Sequence, residues 1–260
     1  MLFSPLCSGS GGNASYLEAG AARLLIDAGL AASRVAALLE AVDATPKQLT
    51  AILVTHEHSD HTAGVGVLSR RYDLPVYATA GCWTSMRRAV GEIAPRNIRV
   101  IEADQPFMIR GLSVRPFSTP HDAADPVGYV FSHNGGSVAL MTDVGHVSAH
   151  MLDCAAGADL VLLEANHDTD MLRAGNYPYP LKLRILSAQG HLSNEDAALV
   201  LARLYRGGLR NAIIGHLSNE NNTPELALMT VLSVLQEAGI EDMRIDVALP
   251  DRPCGVFTLP

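Results

Sequence analysis

The segment LVTHEHSDHTAGV, residues 53–65, decides the fold. Three histidines and two acids fall within His56–His61, at the end of the apolar run 51–54. Side chains alternate along a strand, so histidines two positions apart at a strand end, His56 and His58, can point the same way and grip one ion. Asp60 and His61 come after a bend and can reach a second ion. Imidazole and carboxylate are borderline-to-hard ligands suited to zinc, manganese or iron. The bland alternative is a solvated loop with accidental histidines, and the density of donors at a strand end argues against it.

Outward from this segment the chain alternates short strands and helices. LFSPL, ASYLEAG and RLLIDAG read as strands around the loop SGSGGN, and 33–42 has helical apolar spacing with Ser33 as N-cap. TAILVTH, PVYAT and IRVIEA are further strand candidates. From Pro106 to Asp143, three consecutive antiparallel strands are expected, joined by glycine-containing turns. Strands at ADLVLLEAN, RNAIIGHLS and RIDVAL then alternate with helices at NEDAALVLARLY and TPELALMTVLSVLQEAG, the latter with Thr223 as N-cap and Pro224 at its first position. Two mixed sheets packed face to face, with helices outside, would bury both sets of strands. No linker or domain boundary is evident, so residues 1–260 are read as a single domain.

Hydrophobic content of 48% with 18% charged residues is that of an ordinary globular protein. No apolar run approaches the ~20 residues that span a bilayer, and the N-terminus lacks the pattern of a secretory signal. A cytoplasmic protein without membrane contact is expected. Cys7, Cys82, Cys154 and Cys254 are scattered and read as small buried hydrophobes. The net charge of −8 argues mildly against strong non-specific nucleic-acid binding, although bound cations would add charge that this count omits. The basic stretches at 70–73 and 203–210 read as solvated helix ends.

THEHSDHTAGV resembles the H-x-H-x-D-H motif of the metallo-β-lactamase superfamily. Four further positions match that family's pattern in order: Asp27 closing an early strand, His121 in STPHD, Asp143 in ALMTDVG and His216 in AIIGHLS. The resemblance implies an α/β fold, a four-layer αβ/βα sandwich with two divalent metal ions in a cleft between the sheets. It implies His56, His58 and His121 around the first metal, Asp60, His61 and His216 around the second, and Asp143 bridging both. A carboxylate can bind two cations at once and an imidazole cannot, which agrees with that bridge. Asp27 is read as an acid that accepts a ligand histidine's second N–H, or else as a simple turn aspartate before Gly29.

SGSGGNASYLEAG, NYPYPLKLRILSAQGHLSNEDAA and GHLSNENNTPELA are similar to the YycJ/WalJ branch of the superfamily, which implies 5′–3′ exonuclease activity on nucleic acid. GHLSNE occurs twice, and only one copy is expected to supply the final ligand. Phosphodiesterases of this fold protonate the leaving group with a histidine that precedes that ligand. His191 matches this place and Glu164 in LLEAN is expected to orient it; the alternative is that His191 belongs only to the capping turn of the next helix. Asp60 is expected to orient the attacking water. The roles of His167 and of the loop Ser8–Asn13, a possible phosphate cradle, stay open. His133, His146 and His150 carry no motif.

The expected reaction is hydrolysis by a metal-activated water, first of a phosphodiester. A glyoxalase-like thioesterase would use the same ligands. A lactam hydrolase is weakened because many true lactamases of this fold carry cysteine where Asp143 stands. A metal-binding regulatory protein without turnover and a di-iron oxygen enzyme are the remaining readings; neither a carboxylate-rich ligand set nor a flavin domain is visible. Longer nucleases of this fold insert a clamping domain for which this chain has no room, so its own surface must hold the substrate.

Overall fold

In the computed structural model, which describes residues 1–260, the first strands form an antiparallel meander: β1 (Leu2–Cys7), β2 (Ala14–Ala19) and β3 (Ala22–Ile26). Helix α1 (Ala32–Glu40) leads to β4 (Ala51–Leu53), and α2 (Ser59–Thr62) and α3 (Val65–Tyr72) follow. Then come β5 (Val76–Thr79), α4 (Ala80–Val90) and β6 (Ile98–Ile101). A second meander runs through β7 (Phe107–Ile109), β8 (Leu112–Ser118), β9 (Val127–His133) and β10 (Gly136–Met141). After it come α5 (Ala149–Ala155), β11 (Leu160–Glu164), α6 (Thr169–Ala174), α7 (Tyr179–Ile185) and α8 (Asn194–Arg206). The chain closes with β12 (Asn211–Gly215), α9 (Pro224–Glu237), β13 (Arg244–Val247) and β14 (Phe257–Thr258).

The strands make two seven-stranded sheets, ordered β14-β1-β2-β3-β4-β5-β6 and β13-β12-β11-β10-β9-β8-β7. Each has three antiparallel pairings followed by three parallel ones. The two halves thus repeat one pairing pattern. Parallel strands linked by helices are covered on both faces and read as continuous apolar runs, as LVLL in β11 does.

Three apolar layers alternate with the sheets. Leu24, Ile26 and Leu53 of the first sheet meet Tyr129, Phe131, Leu140 and Leu162 of the second between the sheets. Leu25 and Ile52 face the helices of the first half, and Val161 and Leu163 face those of the second. Successive residues of β3 and β11 therefore serve opposite faces, as strand alternation requires. The result is the expected four-layer αβ/βα sandwich. No helix is long and apolar enough to cross a membrane.

Helix α9 starts as expected, with the Thr223 hydroxyl accepting from the Leu226 N–H and Pro224 in the first turn. Helix α1 corrects the expectation: its N-cap is Ala31 with no side-chain cap, and Ser33 lies within the helix. The burial of Val35, Leu38 and Leu39 holds this helix instead. Cys7, Cys82 and Cys154 are buried, whereas Cys254 is only partly so. Arg70 and Arg71 end α3 and Arg203 and Arg206 end α8, where their charge opposes the helix dipole.

Candidate metal centre

The candidate residues collect at one rim of the sandwich, where the central strands end. Asp27 directly follows β3, and His56–His61 follow β4. His121 lies beyond β8, Asp143 beyond β10, and His216 directly follows β12. Glu164 is the last residue of β11. Open α/β sheets place their sites at such carboxyl ends. Asp27, Asp143 and His216 take left-handed backbone conformations, with φ of 58°, 57° and 55°. Such conformations cost roughly 1–3 kcal/mol each and persist where the surroundings over-determine them.

The local geometry of the histidine segment differs from the sequence reading. Strand β4 ends at Leu53, so His56 and His58 do not share a face by strand alternation. They lie on the loop before α2, and His58 is that helix's N-cap residue. The loop still turns them together: His56 Nε2 lies 3.1 Å from His58 Nδ1, and His121 Nε2 lies 3.4 Å from that same atom.

A second group forms beside the first. His61 Nε2 and His216 Nε2 lie 3.6 and 3.7 Å from Asp60 Oδ2. Asp143 stands between the groups. Its Oδ1 is 3.7 Å from His121 Nε2, 4.0 Å from His56 Nε2 and 3.4 Å from His216 Nε2, while its Oδ2 is 3.2 Å from His61 Nε2. The seven residues His56, His58, Asp60, His61, His121, Asp143 and His216 are thus brought together at this rim.

Several neighbours fix the orientation of these rings. Asp27 Oδ2 lies 2.8 Å from His61 Nδ1, and the same carboxylate accepts from the Thr55 N–H and hydroxyl at 2.8 and 2.9 Å. Of the Ser8–Asn13 loop, Ser8 Oγ accepts from the His216 N–H at 2.8 Å and Asn13 Nδ2 lies 3.1 Å from His61 Nε2. Asn13 Oδ1 also accepts from the Gly9 N–H at 3.0 Å. The polar groups of that loop therefore brace the centre from behind, and only Ser10 and Gly11 are exposed. Sequence reasoning missed Thr55, Ser8 and Asn13 as individual braces, because hydroxyl and amide side chains in turns carry no distinguishing signal.

Glu164 is fully buried and ties four groups together. Its Oε1 lies 3.0 Å from His191 Nδ1 and accepts from the Leu192 N–H at 2.9 Å. Its Oε2 accepts from the Asp143 N–H at 2.6 Å and lies 3.5 Å from His216 Nδ1. Burial pushes its carboxyl up, but the His191 and His216 imidazoles hold it down to about 2. Burial opposes a charge on His191, yet Glu164 raises its pKa above the usual histidine value. Ser193, not His191, caps α8 by accepting from the Asp196 N–H.

A divalent cation fits this donor set. His56 and His121 are pushed by burial towards the neutral form, which leaves a lone pair for a metal. Asp143 Oδ2 and both ring nitrogens of His216 are buried without a hydrogen-bond partner by geometry, and buried polar atoms rarely stay unsatisfied. Burial disfavours ionisation of Asp143, but His216, His61 and His56 keep its carboxyl well below the usual range.

The remaining histidines divide. His167 is buried and lines the same cavity as His191. His146 lies by the Ala188 carbonyl, and His133 by that of Gly111, both on the surface. His150 Nε2 lies 2.7 Å from Asp104 and 3.6 Å from the Cys154 thiol, away from the centre.

Residues 22–216 match the model of the beta-lactamase superfamily domain. The chain is 43% identical over 237 residues to an exodeoxyribonuclease YycJ of Bacillus anthracis, covering 91% of this chain and 90% of that protein. It is 41% identical over 240 residues to an exodeoxyribonuclease WalJ of Streptococcus pneumoniae, covering 92% and 89%. Among solved structures, the metallo-β-lactamase fold protein YhfI from Bacillus subtilis superposes with a TM-score of 0.73 at 16% identity, over 99% of this chain and all of that one.

Proposed function

The chain belongs to the metallo-β-lactamase superfamily, and from that premise we propose that it is a two-metal phosphodiesterase, a nuclease that degrades DNA from the 5′ end. The observation that carries the reaction class is the position of Asp143 between two donor groups, with the His191–Glu164 pair beside them. The substrate class rests on the likeness to the exodeoxyribonucleases over nine-tenths of the chain.

In this proposal His56, His58 and His121 hold one divalent ion and Asp60, His61 and His216 the other, with Asp143 shared. The donor chemistry suits zinc, with manganese or iron as alternatives. When bound, such a pair supplies a water activated at neutral pH and charge stabilisation at the attacked phosphorus. Asp60 Oδ2 faces His61 and His216, and the carboxylate orients the attacking water. Glu164 Oε1 accepts a hydrogen bond from His191 Nδ1–H and stabilises the protonated ring, which presents its Nε2–H outward. His191 then donates that proton to the departing sugar oxygen, the task of a general acid. Asp27 and Glu164 each hold an imidazole in one tautomer. Residues 1–260 work as one catalytic domain, in the cytoplasm.

The test pairs metal analysis with four substrates: bis-p-nitrophenyl phosphate, 5′-labelled DNA, a lactam and S-lactoylglutathione. Metal-dependent cleavage of the two phosphodiesters supports the proposal. Hydrolysis of the lactam or the thioester alone removes it, and a metal-loaded protein inert towards all four leaves a binding protein instead.

A further inference from the structure

His167 is a buried imidazole without a partner. It is 1% exposed, and neither ring nitrogen has a hydrogen-bond partner. Its backbone is secured, since its carbonyl accepts from the Asn194 N–H at 2.9 Å, so the ring is held in place without being satisfied. A buried ring with two free nitrogens points to a group that is not part of the chain.

His167 lines a polar cavity of about 500 Å³, a size typical of small-molecule sites, with its ring set behind the cavity surface. His191 lines the same cavity. The leaving group must lie against His191 to take its proton. His191 also lines a neighbouring cavity with Ser10, Arg184 and Ser218, but of the two this one carries the unsatisfied imidazole, which points to it as the place of the departing side of the substrate. Asp170, Glu195 and Asp196 also line it, against the single guanidinium of Arg173. Three carboxylates facing one cation repel phosphate but accept hydroxyls and base amines. Burial keeps the His167 ring neutral. A neutral imidazole offers one N–H and one lone pair, which matches a sugar hydroxyl or the edge of a base.

We propose that His167 binds the nucleoside on the leaving side of the scissile phosphodiester, through a hydroxyl or base edge, within this cavity. The proposal rests on the nuclease reading. In the step it serves, the water oxygen bonds to phosphorus, the bond from phosphorus to the leaving sugar oxygen breaks, and the Nε2 proton of His191 passes to that oxygen. His167 is a binding residue that places this oxygen beside His191.

The experiment titrates the metal-loaded protein with deoxyadenosine and with thymidine while the imidazole resonances of His167 are followed by NMR. Saturable shifts of His167 are expected, with no response to inorganic phosphate. His167→Gln and His167→Ala should each weaken nucleoside binding about tenfold, the loss of one buried hydrogen bond. Both should raise KM for a 5′-labelled oligonucleotide by a similar factor, while metal content and turnover of bis-p-nitrophenyl phosphate, which has no sugar, change less than about threefold. Unmoved His167 resonances, displacement by phosphate, or equal losses on both substrates together with metal overturn the proposal. A protein that binds nucleoside through His167 yet cleaves neither phosphodiester refutes the nuclease reading and keeps the pocket.

Discussion

His191 Nδ1 lies 3.0 Å from Oε1 of Glu164, a carboxylate with no solvent exposure. In the proposed mechanism this pair couples His191, as proton donor, to the candidate metal rim, because the other oxygen of Glu164 accepts from the Asp143 N–H. His191 acts as an acid only while protonated, so activity falls as pH rises through its pKa. Glu164 raises that pKa, so Glu164→Gln should move the alkaline limb of the kcat profile on DNA to lower pH. An alkaline limb that stays in place, in a variant retaining its metals, would rule out the pairing as the source of the limb.

His191→Ala should retain both metal ions and lose roughly 10²–10⁴-fold in kcat on DNA, the usual worth of general acid catalysis. The loss on bis-p-nitrophenyl phosphate should be smaller, because nitrophenolate leaves without a proton. Loss of metal from the variant would make His191 a ligand, and equal losses on the two substrates would remove its role as proton donor.

Asp27 touches His61 Nδ1 at 2.8 Å from within the protein. Asp27→Asn leaves one acceptor oxygen for the Thr55 and His61 donors in place of two, and should weaken metal binding by about 10–100-fold, read by competition with a chromogenic chelator. Unchanged affinity would reduce Asp27 to an anchor for Thr55.

Most of the fold was legible because its strands are either buried on both faces, as LVLL of β11 is, or alternate cleanly; FMIRGLSVRPFST, expected as one strand, is instead the hairpin β7–β8, turning at Arg110 and Gly111. The seven candidate ligands were legible in two ways: the density of donors in His56–His61 stood out by itself, whereas His121, Asp143 and His216 were placed only by the order of the motifs that the family resemblance supplies. Sequence reading failed where tertiary contacts decide. The stop of β4 at Leu53, which puts His56 and His58 on a loop, depends on how Thr55 is captured by Asp27. The helix α7 has no buried residues, so no apolar periodicity announced it. Ser8 and Asn13 reach the centre only because the first strand and the last ligand meet across 208 positions.

Gly29 sits where the chain crosses behind the centre. A Cβ built there would lie 1.6 Å from the Asp60 carbonyl oxygen and 2.7 Å from the Asn13 nitrogen, both backbone atoms. Gly29→Ala should therefore cost about 2–3 kcal/mol and lower Tm by roughly 4–12 °C. Gly11→Ala is the control, since its only near neighbour is Asn219 Nδ2 at 4.0 Å. Calorimetry of the two variants checks this, and equal melting temperatures would contradict it.

The central claim is that Asp143 is shared between two cations held by His56, His58 and His121 on one side and Asp60, His61 and His216 on the other. Anomalous diffraction from crystals of the metal-loaded protein tests it most directly. The account predicts two peaks flanking the Asp143 carboxylate, each within bonding distance of its own set of side chains. A single peak, or peaks that leave Asp143 uncoordinated, would contradict it.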